Sequence, residues 1–210
     1  MWQSKRQKKL AQKKELETLR REIQKEELEK LLPKTNLKYE KDKTLLVEIP
    51  FLSEKVAVEI PSLLFKKEGT RTMEMPSKII LLKYLKNLGA LVSLCELSNL
   101  RKLTFFNEGV KRSVEKAFGN DLDLFIKCAL SLGGQISKDP WHFVTFSVLP
   151  GVKLLMRLSE ANEEKPANLE VYVPETLFGI FSPEEINYLA KYTLRKLLKE
   201  GKRLVSEDSF

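Results

Sequence analysis

Few side chains of this sequence could do chemistry. Its 210 residues include one histidine, His142, and two cysteines, Cys95 and Cys128. His142 follows Trp141 and opens an apolar strand, a place from which it could act as a general base or a ligand. No second histidine completes a ligand pair and no acid stands beside it at a local spacing, so a structural or surface role is expected. The cysteines lie 33 residues apart in apolar runs, without a further Cys or His at ligand spacing, and read as buried thiols. Glu160, Glu163 and Glu164 form an acidic turn, but a calcium loop needs ligands at defined offsets and a glycine that this turn lacks. Asp121 and Asp123 read as first-turn acids of a helix. Glycine-rich phosphate loops, Gly-x-Ser-x-Gly and His-Glu-x-x-His are all missing, so no catalytic residue, metal ligand or cofactor is assigned.

The sharpest remaining feature is a run of cations. Lys5, Arg6, Lys8, Lys9, Lys13 and Lys14 fall within the first 14 residues with no acid among them. The net charge of +8 is therefore unevenly placed: residues 1–43 carry 14 basic and 8 acidic side chains, the remainder 23 and 21. A basic tail on a nearly neutral body suits contact with an acidic partner. Six cations could also neutralise phosphates, each steepening the log–log salt dependence of binding by about 0.9. Only Trp2 accompanies them as an aromatic on which a base could stack.

The elements that must carry these groups follow from pattern. Residues 4–32 lack Gly and Pro and are rich in strong helix formers, which predicts one long helix ending before Pro33. Its leucines form a narrow, uneven stripe, so it projects or packs by one edge. Leu45, Val47 and Ile49 alternate, as do Val56, Val58 and Ile60, which predicts an antiparallel hairpin. Residues 61–76 read as irregular. Ile80, Leu81, Tyr84, Leu85 and Leu88 mark a buried helix between Pro76 and Gly89. Asn107 and Asn120 read as caps of two helices, one turning Val110, Val114 and Phe118 inward, the other centred on Phe125 and Cys128 with apolar residues on two sides. A three-residue loop Leu149-Pro150-Gly151 pairs Val148 with Val152, Phe146 with Leu154, Val144 with Met156 and His142 with Leu158, with Gly151 in the left-handed position. A further strand runs near Leu169, Val171 and Val173. Ser182 and Glu185 form a capping box with Pro183 in the first turn of a last helix, which Gly201 ends.

The order of the segments Ile79–Leu85, Leu103–Gly109, Leu149–Val152, Glu163–Ala167 and Ser182–Glu185 resembles an uncharacterised family of bacterial and archaeal domains of unknown function, over about residues 37–200. Members are sometimes joined to a small iron–sulfur-cluster segment. The resemblance thus implies a redox or corrinoid-related accessory setting beside an iron–sulfur partner. Two distant cysteines cannot hold a four-cysteine cluster. Lys83, Asn162 and Pro174 stand where the family tends to show His, Asp and Asp, so a polar site of the relatives is degraded here.

The expected fold class is α+β: an antiparallel sheet of about five strands with helices on one face, plus a long N-terminal charged helix. The expected divisions are a basic arm at 1–33, a linker at 34–43, a globular domain at 44–200 and a polar tail at 201–210. The longest stretch free of Asp, Glu, Lys and Arg, Pro140–Val152, has 13 residues, short of the roughly 20 that span a bilayer. No apolar secretory segment follows the basic start, so a cytoplasmic location without membrane attachment is expected. The function expected is that of a non-enzymatic binding or scaffold protein. Its contacts are Lys5, Arg6, Lys8, Lys9, Lys13 and Lys14, and its partner is a protein. Nucleic acid held by the same six residues is the alternative.

Overall fold

The computed structural model describes residues 5–67, 73–93, 99–104, 108–137 and 143–207. Cys95, Asn107, Trp141, His142 and the last three residues lie outside them. So do the expected Asn107 cap and the expected pairing of His142 with Leu158. The chain forms two compact units, residues 1–96 and 97–210. Sequence reasoning divided it instead into arm, linker, body and tail.

In the first unit the N-terminal segment is two helices, α1 (Lys5–Glu22) and α2 (Lys25–Leu31), separated by an extended Gln24 and followed by a 3-10 turn at Leu32–Lys34. The break has a packing cause. On one straight helix Leu28 and Leu32 would lie about 120° and 160° round from Leu16, facing away from the core. With the break, Leu16, Leu19, Leu28 and Leu32 are all buried. The expected linker holds a strand, β1 (Lys38–Lys41), whose four exposed residues show no alternation by which to find it. It pairs with β2 (Leu45–Phe51), which pairs with β3 (Glu54–Ile60) in the register Leu45–Ile60, Val47–Val58 and Ile49–Val56, all buried. The segment expected to be irregular supplies β4 (Leu64–Lys67), completing the antiparallel order β1-β2-β3-β4. In α3 (Met75–Lys86) Pro76 sits in the first turn, and Ile79, Ile80, Leu81, Leu82, Tyr84 and Leu85 are buried. Gly89 lies inside a further short helix, α4 (Leu88–Ser93), rather than ending one. There the Leu31 side chain comes within 3.5 Å of where a Cβ would stand.

The second unit contains a separate five-stranded antiparallel sheet, in the order β5-β9-β8-β7-β6, of which the last three strands in the sequence were expected, while the expected hairpin lies in the first sheet. Its strands are β5 (Leu100–Lys102), β6 (Gln135–Ile136), β7 (Val144–Leu149), β8 (Val152–Ser159) and β9 (Asn168–Pro174). The α+β class therefore stands, with two sheets where one was expected. The β7–β8 pairs Val144–Met156 and Phe146–Leu154 are those the alternation predicts. The loop is one residue tighter than expected. Leu149 pairs with Val152 across Pro150-Gly151, and a bulge between Ser147 and Leu149 absorbs the extra residue, so that Val148 and Leu149 are both buried. Gly151 has φ +79°, the left-handed turn position.

Helices α5 (Glu108–Phe118), α6 (Leu122–Ser131) and α7 (Pro183–Glu207) complete the unit; α5 packs against β9 and α7, and α6 against β6 and α7. The cap of α6 is Asp121, not Asn120: its carboxylate accepts from the Leu124 N–H at 2.8 Å. Only one side of α6 is buried, at Phe125, Cys128 and Ala129, while Leu130 is 51% exposed. The capping box of α7 forms as expected, Ser182 N–H to Glu185 Oε2 at 2.8 Å and Glu185 N–H to Ser182 Oγ at 3.3 Å. Ile186, Leu189, Ala190, Thr193, Leu194 and Leu197 are buried, the last helix face that the spacing predicts. The expected tail is instead helical to Glu207. Gly201 does not stop α7, because it marks a close approach: a Cβ there would meet the Phe118 ring at 2.8 Å. Among the described residues no helix is long and apolar enough to cross a membrane.

Candidate functional site

The cations that sequence reasoning selected sit on the first half of α1. Arg6, Lys8, Lys9, Lys13 and Lys14 are all exposed, as is Leu10 at 57%; Lys5 begins the helix. None of these five cations has an ion-pair partner among the described residues. The second half of the same helix is anchored. Leu16 and Leu19 are buried against the unit that contains α3, Glu15 meets Lys83 at 2.7 Å and Glu22 meets Lys86 at 2.8 Å. A depression lined by Leu10, Lys13, Lys14, Glu17, Thr18 and Arg21 runs along the solvent side of α1. The result is a fixed helix that presents an apolar residue ringed by cations.

A second cluster, which sequence reasoning missed, lies on the sheet of the second unit. Pairing puts Lys102 beside Tyr172, Tyr172 beside Leu155, and Arg157 beside Glu170. Successive strand residues point to opposite faces. These side chains therefore share the face opposite Leu154, Met156, Val171 and Val173, which are buried. Glu170, 15% exposed, accepts from the Lys102 ammonium and stands 3.9 Å from Arg157. The Lys102 hydrogen bond holds the Glu170 carboxyl below its ordinary value against the opposing effect of burial. The same hydrogen bond raises Lys102. Burial, with the Glu170 charge adding to it, raises the Tyr172 hydroxyl. The Phe143 ring meets Tyr172 edge to face at 5.5 Å and 88°. No local spacing could reveal this cluster, since Lys102 and Glu170 are 68 residues apart.

Of the other candidates, Cys128 and the acidic turn are among the described residues. Cys128 is buried, and burial raises its thiol above the ordinary value, as does the nearby Glu200 charge. Such a thiol is a poor nucleophile. In the acidic turn Glu160, Glu163 and Glu164 are exposed, and the loop is organised by Asn162, whose Oδ1 accepts from the N–H groups of Glu164 and Lys165. Glu160 instead accepts from the Leu122 N–H at the start of α6. Among the described residues no three His, Cys, Asp or Glu side chains are grouped to hold a metal ion. Lys83, at the position where the resemblance expects His, is committed to Glu15.

One family model, that of the domain of unknown function DUF3786, matches residues 27–196. The chain belongs to this family. The match begins within α2 and ends within α7, so the DUF3786 region includes the sheets of both units and leaves α1 outside. The basic helix is thus an addition to the DUF3786 region, whereas the Lys102–Glu170 cluster lies within it. No curated protein and no solved structure matches the chain.

Proposed function

We propose that this protein is a non-enzymatic binding protein, and that the exposed basic half of α1 docks an acidic surface of a partner protein. The observation that carries the reading is the division within α1. Arg6, Lys8, Lys9, Lys13 and Lys14 stand in solvent without acidic partners among the described residues, while Leu16 and Leu19 fix the same helix to its unit. A cationic surface on a fixed support raises encounter rates with acidic partners, and the exposed Leu10 adds an apolar contact at its centre. A protein suits this surface better than a nucleic acid, because α1 carries no aromatic ring and Glu17 interrupts its positive face.

The test is photo-crosslinking from the exposed Ala11 in the native host, followed by measurement of the purified pair. A single partner protein, lost when Lys8, Lys9, Lys13 and Lys14 are replaced by Glu, is the expected result. A partner that binds the reversed chain equally well overturns the reading, as does a crosslink to nucleic acid alone. A partner carrying an iron–sulfur cluster would connect the reading to the accessory setting that the family resemblance implies.

A further inference from the structure

The outer face of the five-stranded sheet has a composition distinct from that of α1. Its centre is the Phe143–Tyr172 ring pair, whose members flank the middle strand β8; Leu155, on β8 and paired with Tyr172, is 5% exposed. The Phe143 backbone is itself fixed, its carbonyl accepting from the Ser137 N–H at 2.8 Å. Three cations surround the rings on this face: Lys102 on β5, and Lys153 and Arg157 on β8. Its one described carboxylate, Glu170, is already met by Lys102 and Arg157, so the face as a whole stays positive.

We infer that the outer face of this sheet binds single-stranded nucleic acid, its bases stacking on the Tyr172 and Phe143 rings and its phosphates held by Lys102, Lys153 and Arg157. Every base has a π-face, so rings within a positive surface recognise single strands with little regard to sequence. A duplex keeps its bases stacked inside and cannot offer them to rings at the middle of a sheet. The rings and the Lys102–Glu170 pair are ordered before a ligand arrives, which lowers the entropy that binding must offset. An acidic protein segment would use the cations and leave the aromatic pair without a role. This surface lies within the DUF3786 region and is separate from α1, so it stands or falls independently of the reading given for the basic helix.

The experiment uses the full chain and fluorescently labelled oligothymidylate and oligouridylate of about 15 nucleotides, near the upper site size of small single-strand binding folds. Anisotropy is followed from about 50 mM to about 200 mM salt. The expected result is binding of one or both strands, with duplex DNA a poor competitor. Tyr172→Leu should weaken affinity by about fivefold or more and Tyr172→Phe should keep it. Lys153→Gln should lower the magnitude of the log–log salt slope by about 0.7. Charge reversal of Lys8, Lys9, Lys13 and Lys14 takes the net charge of +8 down by eight and so lowers overall affinity, but the effects of Tyr172→Leu and Lys153→Gln should persist in that background. If Tyr172→Leu lowers the melting temperature, Lys153→Gln, at a partly exposed position, decides alone. An unchanged slope in that variant overturns the inference. So does the absence of binding to either strand, equal displacement by polyglutamate, or disappearance of the Lys153→Gln effect when the α1 charges are reversed.

Discussion

The two cationic surfaces differ in how their charges are held. On α1 five described cations stand in solvent, and what fixes them is the apolar packing of the same helix two turns further on. On the sheet, Lys102 and Arg157 converge on Glu170 beside an aromatic pair, so their geometry is set before any ligand arrives. The first arrangement suits attraction of acidic molecules of many shapes, and the second, if the proposed binding holds, discrimination among them. A count of basic residues finds only the first. The second requires strands distant in sequence to be brought together.

The comparison is broken most strongly by loosening α1. Leu19→Ala removes a side chain that is 5% exposed, and a truncation at such a position costs about 2–3 kcal/mol. Urea denaturation should show this loss, with faster amide exchange over residues 8–22. Lys13→Ala, on the solvent side of the same helix, should stay within about 0.5 kcal/mol of the parent. A Leu19→Ala variant as stable as the parent would mean that α1 is held by something other than its leucines.

Next in size is the carboxylate that organises the sheet surface. Glu170→Gln removes the charge-assisted bond from Lys102 and the ion pair with Arg157 and should cost about 1 kcal/mol in the same denaturation measurement. It also makes the outer face more positive, so the nucleic-acid binding proposed there should strengthen. Weaker binding on the sheet would show that order around Glu170 matters more than charge.

The ease with which each surface is found in the sequence follows from how local its determinants are. The run from Lys5 to Lys14 is contiguous and free of acids, so its charge is visible without any structure. Helix α7 is equally plain, because Ser182 and Glu185 cap one end and six buried residues recur at helical spacing. The β7–β8 pairing follows from two alternating strands and a Pro-Gly turn, except for the bulge that closes it. Strands β1, β5 and β6 escape because they are short and exposed, with no alternation in burial. The second sheet surface escapes for a related reason. Lys102 reaches Glu170 only because β5 pairs with β9, and that pairing is long-range. Gly201 misleads in the opposite sense: it has the residue type of a helix stop, yet its small size serves the Phe118 ring.

A smaller effect comes from the acidic side of the pH range. Glu200 accepts from Arg203 and from Ser131 on α6, and these hydrogen bonds bring its carboxyl down to about 2. A depressed carboxyl contributes stability that is complete above its unfolded value near 4.5 and lost as the pH falls through about 2. Glu200→Gln should therefore melt below the parent at neutral pH, with the gap closing as the pH is lowered through that window. A gap that stays constant with pH would assign the effect to shape and not to charge. Glu170, also depressed, supports the sheet surface in the same direction, whereas Lys102, being raised, loses its contribution only at alkaline pH.

The smallest expected effect is the most useful for deciding what anchors α1. The Glu22–Lys86 pair is close at 2.8 Å, but its side chains are 42% and 44% exposed. A pair so hydrated gains little, because water screens the attraction and both long side chains give up freedom, so Lys86→Ala should cost no more than about 0.5 kcal/mol. At about 1 M salt the screening length shrinks to about 3 Å. The two ion pairs that join α1 to α3 should weaken there, while the burial of Leu16 and Leu19 is untouched. Amide protection across residues 15–22 should then survive high salt and disappear in Leu19→Ala. If salt alone releases the helix, the ion pairs and not the leucines hold α1. The cationic surface would then let go of its support under the same conditions that would weaken the proposed contact with an acidic partner.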